Sequence, residues 1–137
     1  MFGPKPTADE VKAVVAFLAT LDDPPNPHRN PDGSFSESAK RGQALFNDKA
    51  RCVRCHKGDY YTSESNYDVK LEHDGSPYDF WNPPTLRGLI DRGPYLHDGR
   101  AKTLEEMLKE PHSSEKLGGQ PLTPAERQDL VEFLKAL

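Results

Sequence analysis

Cys52-Val53-Arg54-Cys55-His56 packs two thiols and an imidazole into consecutive residues, and no other cysteine occurs in the chain. Several chemistries compete for such a cluster. A disulfide between Cys52 and Cys55 would close a very small, strained loop, and such bonds are mostly catalytic. A thioredoxin-like dithiol normally sits in a strand–helix–strand setting, and no such pattern surrounds this motif. A zinc site takes four ligands, and Cys52, Cys55 and His56 leave one missing at short spacing. The order C-x-x-C-H reads directly as attachment of a c-type haem. Each thiol adds to one vinyl group as a thioether, and the next residue, His56, is held beneath the iron as proximal ligand. Spacing and order are both required. The motif therefore predicts one covalent haem c anchored by Cys52 and Cys55.

The composition agrees with such a group. Only 34% of the 137 residues are hydrophobic, mean hydropathy is -0.82, and there are 13 prolines and 10 glycines. That is a thin apolar supply for one domain of ordinary size. A porphyrin is large, flat and apolar, and can replace many core side chains. The net charge of -4 and pI near 5.7 leave no basic footprint for nucleic acid. No apolar run approaches the ~18 residues of a membrane span. The start, "MFGPKPTADE", lacks the apolar core of a signal peptide. Haem attachment in most bacteria takes place after export, so a periplasmic or extracellular protein is expected, with its leader missing from this sequence.

The elements that must position the motif are helical. "TADEVKAVVAFLATL" (residues 7–21) opens with Thr7 and has Glu10 three places on, a capping box. Val11, Val14, Val15, Leu18 and Leu21 follow at helical spacing. "TPAERQDLVEFLKAL" (residues 123–137) repeats the design, with Thr123 as cap, Pro124 first in the helix and Glu126 closing the box. Aligned without gaps, Thr7, Glu10, Val15, Phe17, Leu18 and Leu21 match Thr123, Glu126, Val131, Phe133, Leu134 and Leu137. Two capped amphipathic helices can converge by chance. The match equally fits an internal repeat, in which residues 7–21 close a preceding, similar domain. "DDPPNPHRNPDGS" (residues 22–34) is a linker, with His28 expected in solvent. "SESAKRGQALFND" (residues 36–48) reads as a helix capped by Ser36, with Ala39, Gly42, Leu45 and Phe46 on one face. Residues 58–84 read as a long polar loop that holds His73. "PPTLRGLIDRG" has room for one helical turn. "TLEEMLKE" (residues 103–110) reads as a short helix capped by Thr103 and stopped by Pro111. Residues 1–34 are thus an N-terminal helix and linker, and residues 35–137 the haem domain.

A G-x-x-L-F helix, then C-x-x-C-H, then a closing helix resembles the plan of class I cytochromes c. In that all-α fold a few helices and long irregular loops surround one haem. The first and last helices cross where a glycine lets an aromatic approach, the roles Gly42, Phe46 and Phe133 would take. The middle of the chain is more specific. "PPTLRGLIDRGPYLHDGRAKTLEEML" resembles the C-terminal haem domain of the bacterial dihaem cytochrome c peroxidase and MauG-like superfamily. Pro84, Leu86, Arg87, Pro94, Tyr95, His97, Asp98, Gly99, Thr103, Leu104 and Glu105 carry the match. Two departures stand out: one C-x-x-C-H where the peroxidases carry two haems, and "YLHDGR" where the enzymes often have "YFHDG" or "YMHDG".

The resemblance implies further site residues. The distal iron ligand follows the T-L-E-E helix and is usually methionine in the peroxidases and tyrosine in MauG-like proteins. Here that spot holds "EPH", which makes His112 the first candidate. Met107 is the rival, although it shares a packing stripe with Leu104 and Leu108. His97 and an open site are the remaining options. Arg87 is expected to pair with a haem propionate through its fork of donors, and His97 to bond a propionate or the backbone near the haem. Tyr95 and Trp81 are expected either at the haem edge or as ordinary core aromatics. The leading functional expectation is one-electron transfer by a six-coordinate, bis-histidine haem of low potential, to a redox partner or an adjacent domain. The alternative is a catalytic domain or fragment of a peroxidase-like enzyme, which needs a vacant or displaceable iron site and an acid–base residue beside it.

Overall fold

A computed structural model describes residues 3–71 and 80–137; His73 falls outside them. Helix α1 spans Ala8–Leu18, α2 Glu37–Asn47, α3 Leu104–Lys109 and α4 Pro124–Lys135. Each begins at a hydroxyl that accepts the third helical N–H: Thr7 from Glu10, Ser36 from Ala39, Thr103 from Glu106 and Thr123 from Glu126. Caps of this kind contribute about 1 kcal/mol each. In α1 and α4 the glutamate returns the bond and completes the box.

The predominantly helical architecture agrees with a class I cytochrome c-like fold, with one addition. Within the expected long loop, β1 (Tyr67–Asp68) pairs antiparallel with β2 (Phe80–Trp81), Tyr67 facing Trp81 and Asp68 facing Phe80. Short 3-10 turns occupy Cys52–Arg54, Leu89–Arg92 and Glu115–Leu117. α1 ends three residues before the predicted Leu21. Its last turn tightens into bonds from the Thr20 N–H to Phe17 and the Leu21 N–H to Leu18. The Thr20 hydroxyl also donates to the Phe17 carbonyl at 2.7 Å.

The core forms where α2 crosses α4. A Cβ at Gly42 would lie 2.0 Å from the Asp129 carbonyl oxygen and 2.8 Å from Phe133 Cβ, so only glycine admits this approach. Phe133 then meets Phe46 at a centroid distance of 5.4 Å, Phe35 at 5.5 Å and Tyr61 at 6.0 Å, all edge-on, the favoured aromatic geometry. Phe46, Leu130, Val131 and Phe133 are fully buried. At the edge of the crossing, Asp129 accepts from Arg41 Nε and a terminal guanidinium nitrogen, both at 2.7 Å, and from Ser38 Oγ at 2.5 Å. Lys49 Nζ bridges to Glu126 at 2.6 Å. α3 packs on α4 and buries Leu104, Met107 and Leu108.

The linker is tied to this core. Asn26 Nδ2 donates to the Lys135 carbonyl at 2.9 Å, and Arg29 Nε to the Ala136 carbonyl at 2.7 Å. Those carbonyls end α4, where a helix leaves acceptors without intrahelical partners. His28, in the same segment, is half-buried. α1, by contrast, buries none of its residues. Among the described residues, no helix is long and apolar enough to cross a membrane.

Candidate functional site

The loop that follows α2 carries the cysteine motif. Arg51 opens it with a left-handed φ of 57°, and Tyr61 closes the following turn with φ 52°. Such a backbone costs a non-glycine residue on the order of 1 kcal/mol. Tyr61 shows what the distortion achieves, because its carbonyl oxygen lies 3.0 Å from His56 Nδ1. That bond fixes the imidazole tautomer and leaves Nε2 for another partner. Burial pushes the His56 pKa down, partly offset by the backbone bonds to Tyr61 and Pro84, so the ring is neutral.

Cys52 and Cys55 form no disulfide with each other. Burial pushes Cys52 up to about 12 and raises Cys55, against the nearby charges of Arg54 and Lys57. A reactive dithiol requires the opposite shift. Among the described residues, no cluster of three or more His, Cys, Asp or Glu is arranged to hold a metal ion.

Cys52, Cys55 and His56 line a cavity of about 590 Å³, a volume typical of cofactor pockets, which run ~300–1,000 Å³. Its walls are largely apolar, with Phe46, Leu86, Leu89, Leu108, Leu130 and Leu134 contributing. His112 and Met107 also line it. Pro111 follows the end of α3, and the His112 N–H bonds back to the Met107 carbonyl at 2.9 Å. The His112 ring is deeply buried. Desolvation, and secondarily the neighbouring His56, push its pKa down to about 4. Its Nδ1 makes no hydrogen bond among the described residues. The centroids of His56 and His112 stand 6.4 Å apart. Two imidazoles on one first-row metal, with bonds of ~2.0–2.1 Å, place their centroids about 6 Å apart once the half-widths of the rings are added. The thiol pair, the two neutral imidazoles, the orphaned nitrogen and the apolar walls together fit a covalently held haem.

The other predicted residues divide. Tyr95 is buried, lines the cavity and donates its hydroxyl to the Leu89 carbonyl at 3.3 Å. His97 also lines it, stacked on Trp81 with centroids 4.0 Å apart. Arg87 is not among the lining residues. Leu86 turns into the cavity wall, and the neighbouring Arg87 is directed elsewhere: Nε donates to the Asp59 carbonyl at 2.9 Å, the guanidinium lies 4.8 Å over the Tyr60 ring, and a terminal nitrogen is 3.5 Å from Asp23. The guanidinium-bearing residues at the cavity are Arg51, Arg54 and Arg92. Sequence reasoning passed over all three, although Arg51 and Arg54 flank the motif itself.

Helices crossing at a glycine beside a cavity that carries C-x-x-C-H define a haem domain of the cytochrome c type. The cytochrome c family model matches residues 39–137, and the chain belongs to that family, whose cofactor is covalently bound haem c. It is similar to the hydrazine synthase gamma subunit of Kuenenia stuttgartiensis, 30% identical over 93% of this chain and 48% of that one. A solved structure of Kuenenia stuttgartiensis hydrazine synthase superposes with a TM-score of 0.75 at 27% identity, covering 96% of this chain and 56% of the other. It is also similar to the methylamine utilization protein MauG of Methylorubrum extorquens, 34% identical over 77% of this chain and 36% of that one. A third relative is the cytochrome-c peroxidase IdrP1 of Denitromonas iodatirespirans, 29% identical over 76% and 41%. The chain thus spans about half or less of the length of these curated relatives. The resemblance to the dihaem peroxidase and MauG-like group holds.

Proposed function

We propose that this chain carries out one-electron transfer through a single covalent haem whose iron His56 and His112 would hold. The observation that carries the reading is the pairing of those rings, 6.4 Å apart with one His112 nitrogen left without a partner. Cys52 and Cys55 would anchor the group. The Tyr61 carbonyl would hold the His56 ring in one orientation. Phe46, Leu89, Leu130 and Leu134 would keep water from the iron, and Arg51, Arg54 and Arg92 are the cations at the cavity for the propionates. When bound, the haem supplies the ferric/ferrous couple. The protein's part would be to hold that iron between two rigidly placed neutral imidazoles, His56 and His112, so that little would need to rearrange on reduction. Imidazole stabilises ferric iron more than a thioether does, so the potential lies below that of histidine/methionine cytochromes.

Residues 35–137 form the haem-holding unit in this reading, and residues 1–34 an appended segment. The expected location is periplasmic or extracellular. The electron partner is a separate redox protein or an adjacent domain, and the net charge of -4 favours a basic docking patch. Similarity to a named cytochrome-c peroxidase supports a second reading, a peroxidase-like fragment in which the distal ligand is displaceable.

Absorption spectra of both redox states, with and without cyanide or carbon monoxide, separate the two readings. Electron transfer predicts low-spin spectra without a far-red methionine–iron band and slow, weak ligand binding. Rapid, stoichiometric cyanide binding to the untreated protein favours the peroxidase-like reading. Mass spectrometry of the denatured holoprotein should show one haem's added mass, and a bare chain from a maturation-competent host overturns both.

A further inference from the structure

His56 and His112 are held in different ways. The Tyr61 carbonyl steadies the His56 ring. The buried Nδ1 of His112 has no such bond among the described residues. The His112 ring therefore takes its place from the backbone on either side of it. Upstream, the His112 N–H bonds to the Met107 carbonyl at 2.9 Å, which ties it to α3. Downstream, Ser114 is the hub of a small closed loop. Its carbonyl accepts from the Leu117 N–H at 3.1 Å and the Gly119 N–H at 2.8 Å. Its hydroxyl donates to the Gln120 carbonyl at 2.6 Å.

That loop is clamped to the segment just before the cysteine motif. The Gln120 N–H donates to the Lys49 carbonyl at 2.9 Å. A Cβ at Gly119 would lie 2.5 Å from the Ala50 carbonyl oxygen and 3.1 Å from that of Lys49, so the two strands of chain run too close for any side chain. Gly119 does not carry a left-handed φ, so the demand here is for space alone. The other jaw of the clamp is firm. Ala50 is buried, its N–H bonds to the Leu45 carbonyl of α2 at 2.8 Å, and Lys49 Nζ pairs with Glu126 of α4. Leu117 and Leu122, on either side of Gly119, line the cavity. The segment that presents His112 and the segment that leads into Cys52 are thus bonded to each other.

From this we infer, on the reading that makes His112 a ligand, that Ser114 and Gly119 are positioning residues: the clamp of the 114–120 loop on Lys49 and Ala50 holds His112 on its side of the cavity. Groups that orient a ligand set how firmly it binds a metal. With the clamp loosened, His112 would leave the iron more often while remaining its ligand.

The test compares holoprotein variants Ser114→Ala, Ser114→Thr, Gly119→Ala and His112→Ala by ferrous carbon monoxide binding, ferric electron paramagnetic resonance and thermal melts. Losing the Ser114 hydroxyl bond should raise the open population, and with it the carbon monoxide rate, about tenfold, the equivalent of one hydrogen bond's net contribution. Ser114→Thr keeps the hydroxyl and should restore the parent rate. Gly119→Ala should exceed Ser114→Ala and broaden the low-spin ferric signal; where it fails to retain haem, the Ser114 pair decides. Amide exchange over residues 112–120 should quicken in both faster variants. A merely structural role would lower Tm and leave the carbon monoxide rate and the ferric signal of the folded protein at the parent's values. That result, with His112→Ala opening the iron, overturns the inference alone, as does a threonine variant as fast as the alanine one. A His112→Ala variant that keeps the parent's low-spin spectrum removes the ligand assignment, and the inference with it.

Discussion

The imidazoles of His56 and His112 share one cavity, their centroids 6.4 Å apart and their planes inclined at 76°. The rings come from distant parts of the chain, one fixed by the Tyr61 carbonyl and the other carried just beyond Pro111. His112→Ala should therefore open one face of the iron, giving high-spin haem that binds carbon monoxide readily. Met107→Ala should keep the low-spin spectrum and lose only packing, since Met107 belongs to the buried stripe of α3. Optical and electron paramagnetic resonance spectra of the two variants decide. The reverse pattern makes Met107 the ligand.

Gly42→Val should be among the most damaging single changes outside the cavity. Its Cβ alone would sit 2.0 Å from a backbone carbonyl that cannot swing aside. The helices must separate, loosening the Phe46–Phe133 contact. Overpacking of this kind costs about 3 kcal/mol or more. A chemical denaturation midpoint equal to that of the parent would show that the crossing is looser than described.

Asp129→Asn tests the edge of the same crossing through pH. The Arg41 guanidinium, then the Ser38 hydroxyl, holds the Asp129 carboxyl below its ordinary value. A carboxylate with a lowered folded-state pKa contributes stability that is fully present above its unfolded value of ~3.9. That contribution is lost as pH falls through the lower folded-state value. The variant should melt a few degrees below the parent at neutral pH, and the gap should close in acid. A gap of constant size across the acid range would mean that the carboxylate charge contributes nothing.

Arg92 and Arg87 should separate in redox titrations of the holoprotein. A cation near the iron favours the ferrous state by Coulomb attraction. Arg92 lines the cavity, whereas Arg87 lies over Tyr60, outside the lining. Arg92→Gln should lower the reduction potential, and Arg87→Gln should leave it nearly unchanged. Equal shifts would restore the expectation that Arg87 serves a propionate.

Removal of residues 1–21 should leave the haem spectrum nearly unchanged, because α1 buries nothing and the ties to α4 begin at Asn26. A disrupted haem environment in the truncated protein would make α1 integral to the haem unit.

Local signals were legible in the sequence because they act within one helical turn. Thr7, Ser36, Thr103 and Thr123 each cap the helix that the pattern predicted, whereas the crossing of α2 and α4 at Gly42 was expected only from the resemblance to class I cytochromes c that Gly42, Phe46 and Phe133 carry. What escaped depends on partners far along the chain. The β1–β2 pair joins residues on either side of a long polar segment with no alternating pattern to announce it. The side to which Arg87 turns is set by Leu86, which buries itself in the neighbouring wall. The bonds from Asn26 and Arg29 to α4 leave no trace in a proline-rich stretch that reads only as linker.

Those last bonds bear on the order of assembly. Asn26 and Lys135 are 109 residues apart in sequence. Closing a free loop of that length costs about 4 kcal/mol in chain entropy, more than a pair of hydrogen bonds returns. The seam cannot nucleate folding. It forms after α2 and α4 have met, when the gap left to close is short. Read backwards, it is where the unit first comes undone. Amide exchange at the end of α4 should report that fraying well before the crossing at Gly42 opens.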